Sequence, residues 1–349
     1  MATNAYYGYP TLTDIVSEYS GMDAETYLTI AEIMNRACPF IRMLPMVKSN
    51  QIMSNIGARD AVLVSPSTRR FNEPIAPTST KSAPFTEPIA LFQDFGEVDW
   101  DLYRIQGDMA PRWRMNQDRR KIEGMTQKME WNLYYGSLYN DPGSFNGLLA
   151  RFNSLTYSAN GDTTWVNSGY NVLSNGGGTS ANTTSVWMLE LGENKVFGIY
   201  PKNLPGGLEF EDYGPRTKDV YVSAGVIKKM RILESRMTWF MGIQIDDERC
   251  VQRISSCGTT IGGTGQFDET LLIQAKNQLP GSGEAPGTVI LCNRAVKTQM
   301  DIRAISLKTN TYFTQNQDTG DVWGRGVTRF QGIPVLTAEK ILNTETGLS

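Results

Sequence analysis

The sequence contains no histidine in 349 residues. Imidazole is the side chain that titrates near neutrality and serves as general base, metal ligand and proton shuttle. Its absence excludes Ser-His-Asp and Cys-His nucleophile systems, HExxH zinc sites and histidine relays. Cysteine is scarce: Cys38, Cys250, Cys257 and Cys292 are the only ones, and no two form a CxxC pair. A zinc site here would need all four thiolates brought together, so isolated reduced thiols of a protein made in a cytoplasm are expected. Long apolar runs are lacking too. The stretch Trp239 to Ile245 falls far short of the ~20 residues that cross a bilayer. The opening MATNAYYGYP has neither the basic nor the apolar segment of a signal peptide. A soluble chain without a membrane partner is therefore expected. Charge of either sign is in small excess: 33 Lys and Arg against 36 Asp and Glu give −3. That balance argues against a protein whose main task is to grip phosphate backbones.

What is present suffices for a folded protein. Hydrophobic residues make up 40% and charged residues only 20%, which excludes disorder over the whole length. At about 150 residues per domain the length suggests two. Asp23 can cap a helix over 24–37, with Tyr27, Ile30, Ala31 and Met34 on one face, broken by Pro39 and Pro45. Ala61 to Val64 reads as a strand, and Val98, Trp100 and Leu102 alternate with Glu97, Asp99 and Asp101 as a second. Between them Pro66, Pro74, Pro77, Pro84 and Pro88 forbid a helix. A long antiparallel hairpin with an irregular tip is expected, and a two-stranded hairpin needs a surface to lie on.

From Met115 to Tyr135 the spacing of Met115, Ile122, Met125, Met129 and Leu133 predicts a long helix, ended at Gly136 and the turn Asn140 to Gly143. The stretch 145–265 reads as strands with polar loops, including Val186–Glu190 and Lys195–Tyr200 as a pair around Gly192. A helix at 269–278, a buried strand at 288–292, a helix at 294–305 and a strand at 332–336 complete the chain. Pro334 places that last strand near an edge or a strand start.

No catalytic constellation emerges. The glycine runs 175–178 and 262–265 precede no Gly-Lys-Ser/Thr and read as flexible loops. Asp246-Asp247-Glu248, and Glu209 with Glu211 and Asp212, can bind a divalent cation or simply be solvated; solvation is the commoner case. Asp99 and Asp101 fall on an exposed strand face. Arg69-Arg70, Arg112 with Arg114, Arg119-Arg120-Lys121 and Lys228 to Arg231 are basic groups for which local ion pairing is expected over nucleic-acid readout.

The first third of the chain carries apolar residues but cannot enclose a core of its own size. A neighbouring copy is the natural cover, so an obligate homo-oligomer is inferred. The order of helical arm, long hairpin, long helix, β-rich domain, strand-helix and Gly-Ile-Pro-Val strand resembles the α+β Hong Kong 97 (HK-97) fold of tailed-phage major capsid proteins, with a closer resemblance to the epsilon-15 and BPP-1 type of short-tailed phage. The residues that carry this are Trp131 to Gly136, Asp141-Pro142, Phe145 to Leu148, Arg151 to Asn153, Thr183 to Trp187, Gly192 to Lys202, Gly206 to Asp212 and Val251 to Ile254.

The resemblance implies an N-terminal arm over 1–49, an extended hairpin (E-loop) over 50–107, a spine helix and part of the P domain over 108–152, an A domain over 153–320 and a returning P-domain strand over 321–349. It implies a shell of hexamers and pentamers around double-stranded DNA, with portal, scaffolding and decoration or cement proteins as partners. It implies no cofactor and no enzymatic activity. Lys81, Phe85, Phe92, Trp100, Arg69 and Arg70 become intersubunit candidates, and Arg119, Arg120 and Lys121 candidates for lumenal, non-specific DNA contact. Lys81 is also the only lysine between Phe71 and Gln93, the place where the type member crosslinks a loop lysine to a neighbour's asparagine. An encapsulin-like compartment and a tail or decoration protein are the alternatives.

Overall fold

The computed structural model describes residues 38–62, 67–79, 81–105, 107–155, 168–177, 182–223, 226–281, 283–307 and 329–348. The helix expected over 24–37 lies outside them. Pro39 begins a helix, α1 (Pro39–Met43), because the first helical position needs no N–H. The chain then forms β1 (Met46–Lys48) and a two-stranded ribbon of β2 (Ser54–Val62) and β3 (Lys81–Pro88).

The hairpin thus exists, but its second strand is not the one expected. Pro84 and Pro88 lie inside β3, which tolerates them because its other edge is unpaired among the described residues. The alternating residues belong instead to β4 (Ala90–Asp99), which pairs along β9 (Val226–Ile245) in the body of the molecule. Trp100 and Leu102 leave the strand for α2 (Trp100–Ile105). Asp99 causes the change: its Oδ1 accepts the Asp101 N–H at 3.0 Å, a local bond that competes with the strand ladder.

The long helix is α3 (Ala110–Tyr135), roughly 40 Å at 1.5 Å per residue. Ile122, Met125, Met129 and Leu133 are buried as the spacing requires, whereas Met115 is exposed. The helix stops because Gly136 packs against the returning chain. A Cβ there would lie 2.5 Å from both Asn132 O and Phe145 O.

Beyond α4 (Leu148–Arg151) and α5 (Ser168–Asn171) the chain builds two sheets. One is β1-β7-β9-β4, with β8 (Leu208–Ser223) also on β9. The other runs β12-β13-β11-β6-β10-β5, with β5 at Val172–Ser174. Val186–Glu190 and Lys195–Tyr200 do not pair with each other. The first lies in β6 (Thr183–Glu190), between β10 (Val251–Gly258) and β11 (Thr288–Cys292); the second lies in β7 (Val196–Tyr200), between β1 and β9. Both faces of β6 are apolar: Trp187 and Leu189 join the core shared with α3, Val186 and Met188 the core under α6 (Glu269–Gln278) and α7 (Arg294–Leu307). A strand buried on two faces is stable in the middle of a sheet. Pro334 lies in β13 (Ile333–Thr337), beside the two-residue strand β12 (Arg329–Phe330).

The two glycine runs hold each other in place rather than forming flexible loops. Asn175 Nδ2 donates to Gly265 O at 2.6 Å and Gln266 O at 3.0 Å. A Cβ on Gly177 would lie 2.1 Å from Ser256 O. Gly177→Ala is therefore expected to cost about 1–3 kcal/mol by overpacking. A thermal melt of the unassembled variant that matches the parent would show this contact to be dispensable.

Candidate assembly surfaces and the clasp behind them

The hairpin arm is tied down at its base and free at its tip. Arg59 donates to Glu248 Oε1 and Ile245 O, both at 2.5 Å, and to Asp246 O at 3.2 Å. Asn55 Nδ2 donates to Gln244 Oε1 at 2.5 Å. Residues 67–79 at the other end are all exposed, Phe71 at 96% and Ile75 at 47%. A nearly naked phenylalanine on an extended arm is an apolar surface awaiting cover.

The other candidates separate by position. Arg69 and Arg70 lie exposed in the tip, and Lys81 is exposed at the start of β3. Phe85 is half-buried within its own chain, beneath the Arg59 guanidinium at 4.3 Å. Phe92 is half-buried against Phe145, with ring centroids 6.5 Å apart. Trp100 stacks on Tyr103 and takes the Arg231 guanidinium at 4.8 Å. On α3, Arg119 and Arg120 are exposed, while Lys121 donates to Phe95 O and pairs with Asp94 at 3.5 Å. Arg114 pairs with Asp212 at 2.7 Å. Sequence reading brought none of these pairings together.

Sequence reading also missed the most elaborate polar site, because its members lie far apart in the chain. Arg253 and Glu345 form a buried ion pair at 3.1 Å. Arg253 also donates to Ser185 Oγ at 2.9 Å and Phe152 O at 2.7 Å. The Tyr135 and Ser185 hydroxyls donate to the Glu345 carboxylate. Glu345 N–H donates to Thr183 O at 2.9 Å, and Leu342 N–H to Tyr135 Oη at 2.8 Å. This clasp fastens the C-terminal residues 338–348 across α3 and the second sheet. Further along, Ser256, at a left-handed φ of 56°, exchanges two hydrogen bonds with Leu348. Burial of Arg253 lowers its pKa and the Glu345 charge opposes this, the balance that makes such a pair costly to break.

The acidic clusters are engaged by neighbours: Asp247 with Arg249 at 2.7 Å, Glu248 with Arg59, and Asp246 with Gln244 at 2.6 Å. Among the described residues no group of three or more Cys, Asp and Glu side chains is placed to hold a metal. The four cysteines are buried and free, their thiols raised in pKa first by burial. No helix among the described residues is long and apolar enough to cross a membrane.

The family model for major capsid protein GP7 matches residues 22–349. The chain belongs to this family of major capsid proteins. Among solved structures, that of bacteriophage epsilon15 aligns over 100% of this chain and 99% of its own, at 21% identity and a TM-score of 0.63. The capsid of bacteriophage JBD30 aligns over 91% and 93% respectively, at 11% identity and a TM-score of 0.43. No curated protein matches. The α+β fold is that of the HK-97-like phage capsids, and this major capsid protein is a subunit of the multimeric shell of a virion.

In this capsid subunit one core group stands out. Glu130 of α3 is fully buried and, among the described residues, neither carboxylate oxygen has a hydrogen-bond partner. Burial pushes its pKa to about 7. The Cys38 thiol and the Phe40 N–H lie alongside and lower it without closing a hydrogen bond of good geometry; Lys340 also lowers it, and Glu339 raises it. Glu130 therefore titrates where α3, α1 and the C-terminal strap meet.

Proposed function

We propose that this subunit builds an icosahedral head from hexamers and pentamers, with each hairpin arm lying over the adjacent subunit and the shell enclosing double-stranded DNA. The observation that carries this reading is the arm itself, pinned at Asn55 and Arg59 and bare at Phe71 and Ile75. The N-terminal arm over 1–49, the E-loop over 50–107, the P-domain parts over 108–152 and 321–349 and the A domain over 153–320 are its working parts. The subunit is structural and has no catalytic task. Assembly takes place in the host cytoplasm, with portal, scaffolding and decoration or cement proteins as further partners. Arg69, Arg70 and Lys81 face the neighbour. DNA contact is non-specific and falls to Arg119 and Arg120, since Lys121 is engaged by Asp94.

Phe71→Ser tests the arm. Burying a phenylalanine side chain is worth about 1.5–3 kcal/mol, and a closed shell repeats the contact in every copy. The expected result is an unchanged melting temperature of the unassembled subunit and a large loss of particles in negative stain. Shells formed as readily as by the parent would refute the role of Phe71; enzyme cargo in place of DNA would favour a compartment of the encapsulin type. Reversing charge at Arg119 and Arg120 is expected to change packaging and leave assembly intact.

A further inference from the structure

One cleft of the described surface is left unused by this account. It has a volume of about 650 Å³ and lies where α1, the loop 283–287 and the β12–β13 turn meet. Arg42, Lys276 and Arg329 line it, with Glu284 as the one carboxylate. Lys276 Nζ donates to the neutral Gln331 Oε1 at 3.2 Å, and none of the three cations has an ion pair among the described residues. Met43, Ile333 and Leu336 supply apolar wall. Gly283, at φ +68°, keeps the cleft open: a Cβ there would lie 2.6 Å from Lys276 Cγ and 3.0 Å from Ile333 Cδ1.

The charge of the chain is unevenly spread. Residues 1–35 hold Asp14, Glu18, Asp23, Glu25 and Glu32 and not one Lys or Arg, which leaves +2 for residues 36–349. This acidic segment joins the described chain at Cys38, and Arg42 is four residues on, about 6 Å along α1. A second segment, 308–328, also adjoins the cleft, at Arg329. Its Lys308, Asp318, Asp321 and Arg325 sum to zero, so electrostatics gives it no preference for a cationic cleft.

We propose that the acidic N-terminal segment docks in this cleft of its own subunit, with its carboxylates against Arg42, Lys276 and Arg329. Exposed ion pairs are individually weak. The docking therefore depends on several pairs at once and on the apolar wall, and it weakens with salt. It is independent of how the subunit contacts its neighbours.

The test uses the full chain before assembly, mixed from isotope-labelled and unlabelled protein. A carbodiimide activates a carboxylate, the Lys276 amine displaces it to form an amide, and the reagent leaves as its urea with the carboxylate oxygen. Mass spectrometry is expected to link Lys276 to acidic residues of 1–35 within one isotopic label, with a yield that falls about fivefold in 0.5 M salt. The Arg42→Glu/Arg329→Glu variant, changed at two exposed residues, is expected to be cut after Arg36 by trypsin about fivefold faster than the parent, as lost screening of the segment requires. Links from Lys276 only to Glu284, links to Asp318 or Asp321, links across labels, or equal cleavage rates would each overturn the proposal. Shell formation is not a readout, so failure here leaves the capsid reading untouched, and failure of that reading leaves this result intact.

Discussion

Glu345→Ala is expected to destabilise the unassembled subunit by about 3–5 kcal/mol, the usual cost of removing one member of a buried ion pair. The loss exceeds one contact because it leaves Arg253 buried without its counter-charge, and the Tyr135 and Ser185 hydroxyls without their acceptor. The backbone bonds of residue 345 to Thr183, at 2.9 and 2.7 Å, survive in the alanine variant, so the loss is that of the side-chain clasp alone. Urea unfolding of the unassembled chain is the measurement. Replacing both charges by apolar residues, Arg253→Met with Glu345→Leu, should recover part of the loss, because paired sites are not additive. A Glu345→Ala variant within about 1 kcal/mol of the parent would show the clasp to be a bystander.

Glu130→Gln has the opposite sign, and its effect depends on pH. The folded-state pKa of about 7 lies above the ordinary value of 4.5, so the folded chain holds the proton more tightly than the unfolded one. Stability therefore falls as pH rises from about 4.5 to 7 and then stays at the lower level. A difference of that size corresponds to about 3 kcal/mol at pH 8. Glutamine mimics the protonated acid, so the variant should match the parent near pH 4 and exceed it by about 3 kcal/mol at pH 8. Parallel curves for the two proteins across pH 5–8 would show that Glu130 is not the titrating group.

Local chemistry made much of the fold legible. The α3 stripe of Ile122, Met125, Met129 and Leu133, the helix at 269–278 and the buried strand at 288–292 follow from spacing and from breakers such as Pro280-Gly281. The partner of a strand is not local. Short apolar runs mark Val186–Glu190 and Lys195–Tyr200 as strands, but cannot tell that a turn at Gly192 sends them into separate sheets. Likewise Glu97 to Leu102 alternates correctly, yet a single Asp99 side chain turns its second half into helix.

The sequence by itself determined the class of the protein: the missing histidine excluded the common catalytic sites, and an arm too apolar to stand alone required a partner. Only the tertiary structure decided which charges are satisfied. Arg253 and Glu345 are 92 residues apart, as are the two members of the Ser256–Leu348 hook, and no spacing rule reaches that far. Burial, which is a property of the packed chain and of no short segment, turns Glu130 from an ordinary helix acid into a group that titrates near neutrality.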